Sequence, residues 1–211
     1  MERIYLALVF LILFDIANAQ DFCGVIRYKY TYYRGKSNKD VTNKIDDVKT
    51  EEFFICGNKF KICFDGRVED ILIGDSSTYF MFYRDSTVRY VKADTAYGQP
   101  PPHYGEIKDV IYKGKRYKLI EEKSKKQSLS YYFNDDVKIN PELFRNVEMF
   151  HWNKYFAATN GSLRLLSENK TGRLTSVSEA IEIKKMALQD IDFALPPGFK
   201  LVPWKNLEVS D

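Results

Sequence analysis

The fold is decided by residues 51–92, which read EEFFICGNKFKICFDGRVEDILIGDSSTYFMFYRDSTVRYVK. Short runs of β-prone residues follow one another in this stretch, and polar two-residue steps such as Gly57-Asn58 and Asp65-Gly66 separate them. Gly-Asn and Asp-Gly steps between such runs are strong hairpin signals, because the centre of a tight hairpin turn requires positive φ. The stretch therefore predicts an antiparallel meander in which each strand pairs with the next.

One side of this meander is apolar. In residues 59–64, basic side chains at odd positions alternate with apolar side chains at even positions. Residues 25–33 alternate in the same way, with aliphatic and aromatic side chains at the even positions from 26 to 32. Successive side chains of a strand point to opposite faces of the sheet, so both stretches predict strands with one buried face and one solvated face.

The rest of the chain continues the pattern with one interruption by a helix. Further strands are predicted at 107–112, 116–122 and 128–133, and a closing hairpin at 163–167 and 174–184. Residues 190–195 are predicted to form a short extended piece, and the tail from residue 200 onward is predicted to be peripheral.

The single predicted helix begins at Asn140-Pro141-Glu142, which supplies a capping Asn, a Pro at the first helical position and an acid in the first turn. Apolar residues then recur at helical spacing as far as Tyr155. The fold class that follows is mainly β (α+β): a single curved antiparallel sheet, or unclosed half-barrel, of about nine to eleven strands, covered by one main helix and loops.

The N-terminus reads as a signal peptide. Residues 6–14 are an unbroken apolar run, too short to span a bilayer comfortably, and Ala17-Asn18-Ala19 matches the small-x-small pattern of signal peptidase sites. We therefore expect a signal peptide at 1–19, cleavage before Gln20, and one β-rich domain at 20–211. The expected location is the periplasm or the exterior, with no transmembrane span in the mature chain.

Three cysteines are present, Cys23, Cys56 and Cys63, so at most one disulfide forms within the chain. A two-residue turn at 57–58 places Cys63 opposite Glu52, so Cys56 and Cys63 are not paired directly across that hairpin. A bond from Cys23 to one of the other two is the favoured arrangement, and three reduced cysteines are the alternative.

The composition points away from nucleic acid and from familiar catalytic chemistry. The net charge is +3 with 29% charged residues of mixed sign, which predicts solvated strand faces and no nucleic-acid partner. No phosphate loop, metal-binding motif or nucleophile motif occurs, and neither His103 nor His151 has a second ligand at metal-site spacing. We therefore expect no catalytic residues, metal or cofactor, and a protein that is not an enzyme. A hydrolase with a carboxylate pair is the less favoured alternative.

The aromatic content suggests what such a sheet does. The chain carries 15 Tyr and 15 Phe, and one helix with a few loops is little cover for so large an apolar face. The hypothesis is a non-enzymatic extracytoplasmic protein that binds a lipid or another apolar ligand in the concavity of the half-barrel. The candidate ligand-binding residues on the concave face are Tyr28, Tyr30, Tyr32, Phe60, Ile62, Phe64, Phe80, Phe82 and Tyr90.

The alternative is an envelope or secreted interaction module whose aromatics simply fill the core. Its edge strands, or the proline-rich segment at 97–105, would then contact an envelope protein partner. Three consecutive prolines favour an extended, stiff conformation for that segment. We favour a connector across the end of the sheet over a lid on a cavity.

The order of elements resembles a known group of proteins. A signal peptide and a long meander are followed by Asn140-Pro141-Glu142-Leu143-Phe144 and by a closing phrase, Phe193-Ala194-Leu195-Pro196 with Pro197-Gly198. This layout resembles the secreted or periplasmic proteins of uncharacterised function, of Bacteroidetes type, that share the LolA/LppX half-barrel of lipoprotein and lipid carriers. It is also similar in layout to the GLPGLI group, although the hexapeptide that names that group is absent. The resemblance implies a curved sheet closed by a helix, with a hydrophobic interior able to accept acyl chains.

Overall fold

The computed structural model describes residues 21–35, 39–96, 101–123 and 127–204. The predicted signal peptide at 1–19 and its cleavage site lie outside these residues and stay predictions. The same holds for the first part of the proline-rich segment, residues 97–100. Within the described part of the chain, no helix is long and apolar enough to cross a membrane.

More than half of the described residues belong to one sheet of 13 strands. The strands are β1 (Gly24–Arg34), β2 (Lys39–Asp40), β3 (Thr50–Cys56), β4 (Lys59–Phe64), β5 (Arg67–Ile73), β6 (Thr78–Phe82), β7 (Thr87–Lys92), β8 (Lys108–Tyr112), β9 (Lys115–Lys123), β10 (Gln127–Lys138), β11 (Ser162–Thr171), β12 (Leu174–Lys185) and β13 (Lys200–Pro203).

The strand order is β13-β7-β6-β5-β4-β3-β1-β12-β11-β10-β9-β8, with β2 paired to β1. Two meanders, β3 to β7 and β8 to β12, therefore meet at β1, which pairs with β3 on one side and β12 on the other. The sheet is curved and unclosed, and this confirms the predicted mainly-β half-barrel.

The tail from residue 200 is not peripheral, contrary to the prediction. It adds β13 in parallel to β7, with Lys200 opposite Thr87. The 13 strands of the described residues exceed the nine to eleven that were predicted. Residues 190–195 are not an extended piece either, because Asp190–Phe193 forms a 3₁₀ turn. Phe193 is buried by this turn, so the segment serves to cover the sheet.

The first predicted hairpin and its register are confirmed. Gly57 has a φ of +58°, the left-handed conformation that glycine adopts without strain, and Cys56 pairs with Lys59 across the turn. Glu52 is opposite Cys63, as the turn length requires. Cys56 is thereby free to bond Cys23, with a Cα–Cα distance of 4.2 Å, while Cys63 stays reduced and buried.

The predicted continuous helix from Asn140 to Tyr155 is wrong in its continuity. Its start is confirmed, since the Asn140 side chain accepts a hydrogen bond from the Glu142 backbone N–H at 3.0 Å. The segment then forms 3₁₀ turns at Pro141–Phe144 and Met149–His151 before the α-helix, α1 (Trp152–Ala158). The break occurs because Phe150 and His151 have φ values of 50° and 58°, which no α-helix contains.

Part of the sheet is covered on both faces. On the first face, called here the helix-covered face, the side chains of α1 and of both 3₁₀ turns pack against β1 and β3 to β6. On the opposite face, Phe193, Leu195 and Phe199 of the C-terminal segment cover β5 to β7. A smaller cluster around Tyr132, Leu166 and Val177 lies farther along the sheet.

Candidate functional site: a cavity under the helix

A cavity of about 370 Å³ lies on the helix-covered face, between α1 and the strands β9 to β11. This volume is near the lower end of the roughly 300–1,000 Å³ that small-molecule sites occupy. The aromatic side chains that line it are Tyr28, Phe53, Tyr104, Tyr131, Phe150, Trp152, Tyr155 and Phe156. Its polar side chains are Glu51, Glu122, Gln127, His151 and Arg164.

One wall of the cavity contains a buried ion pair. Nη2 of Arg164, on β11, donates to both carboxylate oxygens of Glu51, on β3, across 113 residues of sequence. The Glu51 side chain is only 2% exposed, whereas the Arg164 side chain, which lines the cavity, is 26% exposed. Both residues line the cavity, and the guanidinium is the more exposed partner of the pair.

Two tyrosines of β1 hold this ion pair in place. The Tyr30 hydroxyl donates to Oε2 of Glu51 at 2.6 Å, and burial raises the pKa of Tyr30 to about 12. The Tyr28 hydroxyl donates to the backbone oxygen of Arg164 at 2.8 Å, and the Arg164 guanidinium lies 4.7 Å from the centre of the Tyr28 ring. A buried charge is tolerated only when it is paired and hydrogen bonded, and here both charges are.

The break before α1 shapes the rim of the cavity. Phe150 and His151 are consecutive non-glycine residues in the left-handed region, a costly conformation that is concentrated at functional sites. Both residues line the cavity, as does Glu122 of β9. Burial raises the pKa of Glu122, and the charge of nearby His151 partly offsets that rise.

The proline-rich segment contributes to the cavity wall. Pro102 and Tyr104 line the cavity, and the backbone of Tyr104 forms an isolated bridge with Glu122. The Tyr104 ring lies 6.4 Å from the Tyr131 ring and 6.5 Å from the Tyr155 ring. The described part of the segment thus does more than connect two strands, because it closes one side of the cavity.

One tyrosine hydroxyl at the cavity lacks a hydrogen-bond partner among the described residues. Tyr155 as a whole residue is 7% exposed. Its hydroxyl is buried and has no hydrogen-bond partner in the described part of the chain. A polar group is therefore present at this site without being used by the described part of the fold.

The predicted ligand-binding residues are divided between the cavity and the two clusters. Tyr28 lines the cavity. Five others lie on the helix-covered face but are packed among protein side chains: Tyr30, Tyr32, Phe60, Ile62 and Phe64. Phe60 is fully buried, 5.0 Å from the Trp152 ring, so this half of the concavity is filled by aromatic side chains.

Phe80, Phe82 and Tyr90 do not lie on the helix-covered face with the other six predicted residues. Phe80 and Phe82 pack in the opposite-face cluster, and Tyr90 pairs with Phe80 at 6.4 Å. Tyr79 and Met81 face the helix instead. On β6 both faces are buried, so apolar alternation does not distinguish them.

Several cavity residues were missed by the sequence reasoning, although two of them carry a signal. Arg164 interrupts the apolar run Leu163-Arg164-Leu165-Leu166, and Glu51 shares the parity of Phe53 and Ile55, which face the core. A charged residue at a core-facing position requires a partner of opposite charge. That requirement would have identified each residue, though not its partner.

The described residues contain no group of three His, Cys, Asp or Glu side chains that could hold a metal ion. The cavity polar groups are instead suited to hydrogen bonding.

Comparison with known proteins adds little to this picture. No protein-family model and no curated protein sequence matches the chain. Among solved structures, the chain is similar to one described as "Structure of PNGF-II in C2 space group", with a TM-score of 0.47 and 14% identity. The match covers 86% of this chain and 31% of that chain, so this chain spans less than a third of the other protein's length.

Proposed function

We propose that this protein is a non-enzymatic, extracytoplasmic binding protein that holds one small, largely apolar ligand in the cavity between α1 and β9 to β11. The observation that carries the proposal is the cavity of about 370 Å³, lined mainly by aromatic side chains. Burial of apolar ligand surface contributes about 25 cal/mol per Å² without strong directional demands. The volume suits a small molecule or one end of a longer acyl chain.

Two further observations support the proposal. The left-handed backbone of Phe150 and His151 and the unpaired Tyr155 hydroxyl at the cavity are features that a core built only for stability lacks. The Cys23–Cys56 disulfide is consistent with a periplasmic or secreted location, because disulfides persist in oxidising compartments.

The test uses N-phenyl-1-naphthylamine, an uncharged apolar dye whose fluorescence rises on burial. Leu129 lines the cavity, and Leu119, on the neighbouring strand, packs on the opposite face, which makes the two a matched pair. We expect Leu129→Trp to weaken dye binding by at least about tenfold, and Leu119→Trp to leave it within about twofold. A folded Leu129→Trp variant that binds the dye as tightly as the wild type would refute the proposed site. If neither wild type nor variants bind the dye, and mass spectrometry finds no co-purified ligand, the filled-core interaction module is favoured.

A carboxylate-pair hydrolase is the second candidate, because Glu51 and Glu122 line the same cavity. Burial raises the pKa of Glu122, as expected of a general acid, while Glu51 is held beside Arg164. However, Glu51 is almost completely buried and both its oxygens accept hydrogen bonds, which leaves it unable to attack a substrate. Hydrolysis of aryl glycosides or esters that disappears in Glu122→Gln would favour the hydrolase over the binding protein.

A further inference from the structure

The charges at the cavity are already compensated within the protein. The Arg164 guanidinium is the permanent cation among the described residues of the lining, and Glu51 neutralises it. Glu122 adds a second carboxylate at the rim, next to His151. At a pH where histidine is uncharged, the described residues of the lining therefore carry no excess positive charge.

Donors nevertheless remain available to a ligand. A guanidinium has five N–H groups, and the two hydrogen bonds that Arg164 makes to Glu51 both come from Nη2. The Tyr155 hydroxyl, buried at the cavity without a hydrogen-bond partner among the described residues, can donate as well. The described lining residues therefore offer hydrogen bonds to an oxygen atom, but no unpaired permanent cation to a carboxylate.

An anionic ligand would be poorly matched to this arrangement. Its carboxylate would approach a guanidinium whose charge Glu51 already balances, and it would add an unpaired negative charge to a desolvated site that holds two carboxylates. An alcohol, ester or amide oxygen accepts the same hydrogen bonds without this cost. A cationic group would meet Arg164 directly.

We infer that the cavity selects uncharged oxygen-bearing apolar molecules, such as fatty alcohols, esters or amides, and rejects free fatty acids, because Glu51 neutralises Arg164. This inference rests on the proposed binding function and specifies the ligand class.

The test compares three ligands with the same ten-carbon chain: 1-decanol, decanoate and decyltrimethylammonium. Binding to the wild-type protein is measured by calorimetry and by tryptophan fluorescence at about pH 8, where an ordinary histidine is uncharged. We expect decanol to bind at least about tenfold more tightly than either ion. Decanoate binding as tightly as decanol, or the quaternary ammonium binding best, would overturn the inference while leaving the binding function standing. If none of the three binds, the binding function itself fails.

The variant Glu51→Gln identifies the cause of the selectivity. It keeps the side-chain shape and an acceptor for the Tyr30 hydroxyl but leaves the charge of Arg164 unbalanced. We expect the preference for decanol over decanoate to fall by at least about tenfold. Glu52→Gln is the matched control, since Glu52 is the next residue of β3 and pairs with Arg27 away from the cavity. A preference that survives in folded Glu51→Gln, or that is lost only in Glu122→Gln, would refute the role of Glu51. If Glu51→Gln does not fold, the comparison of the three ligands on the wild type still decides the inference.

Discussion

Removing the Tyr155 hydroxyl should stabilise this protein, in contrast to most changes in a core. The Tyr155 ring packs against Tyr131 at 5.0 Å and Phe156 at 5.4 Å, but its hydroxyl is buried and finds no partner in the described residues. An unsatisfied buried hydroxyl costs about 1–3 kcal/mol. Tyr155→Phe keeps the ring contacts and removes that cost, so the free energy of unfolding should rise by about 1 kcal/mol.

Tyr28→Phe is the matched comparison with the opposite sign. The Tyr28 ring lines the same cavity, but its hydroxyl donates to the Arg164 backbone oxygen at 2.8 Å. Loss of this hydrogen bond should lower the free energy of unfolding by about 0.5–1.5 kcal/mol. Each variant lacks one oxygen atom of the wild type. The difference between their free energies of unfolding, about 2 kcal/mol, therefore isolates the effect of hydrogen bonding.

The assay is equilibrium unfolding in urea, monitored by circular dichroism. The slope of the free energy of unfolding against urea concentration should be the same for the three proteins. Thermal midpoints should move in the same directions, by about 2–4 °C per kcal/mol for a chain of this size. If Tyr155→Phe is destabilised as much as Tyr28→Phe, the Tyr155 hydroxyl has a partner and the reasoning about the cavity wall is refuted.

Three further predictions concern regions away from this comparison. Burial raises the pKa of Asp70 to about 7, with a smaller contribution from a neighbouring glutamate. Because an acid whose pKa is higher in the folded state destabilises the protein as it ionises, the free energy of unfolding should fall as pH rises from about 4 to about 7. Asp70→Asn should flatten this dependence in urea unfolding, and an unchanged dependence on pH would contradict the shift. Gly161 has a φ of +76°, and a Cβ there would lie 2.0 Å from a backbone oxygen, so Gly161→Ala should lower the free energy of unfolding in urea by at least about 2 kcal/mol. At Gly172, φ is +59° and no atom lies within 4 Å of the added Cβ, so Gly172→Ala should cost about 1 kcal/mol. Equal costs would refute the steric argument. Replacing both Cys23 and Cys56 by Ala should lower stability by about 3–4 kcal/mol, the loop entropy expected for a separation of 33 residues, and the double variant should be insensitive to a thiol reductant that destabilises the wild type.

The sequence by itself determined the local structure of this protein. Turns such as Gly57-Asn58 set the register of adjacent strands, and the Asn140 cap set the start of the helical segment, because both depend on residues only a few positions apart. Alternation likewise predicted a sheet that needs cover on its apolar side.

Only the tertiary structure decided which face of the sheet α1 covers, which face the C-terminal segment covers, and where empty space remained. Phe80 and Phe82 contact the C-terminal segment more than 100 residues later in the chain, and no local pattern distinguishes that cover from α1. Glu51 and Arg164 likewise meet only because β1 brings two separate meanders together. Short-range conformational preferences act within a strand or a turn, whereas a cavity and its charges depend on long-range packing between segments distant in sequence.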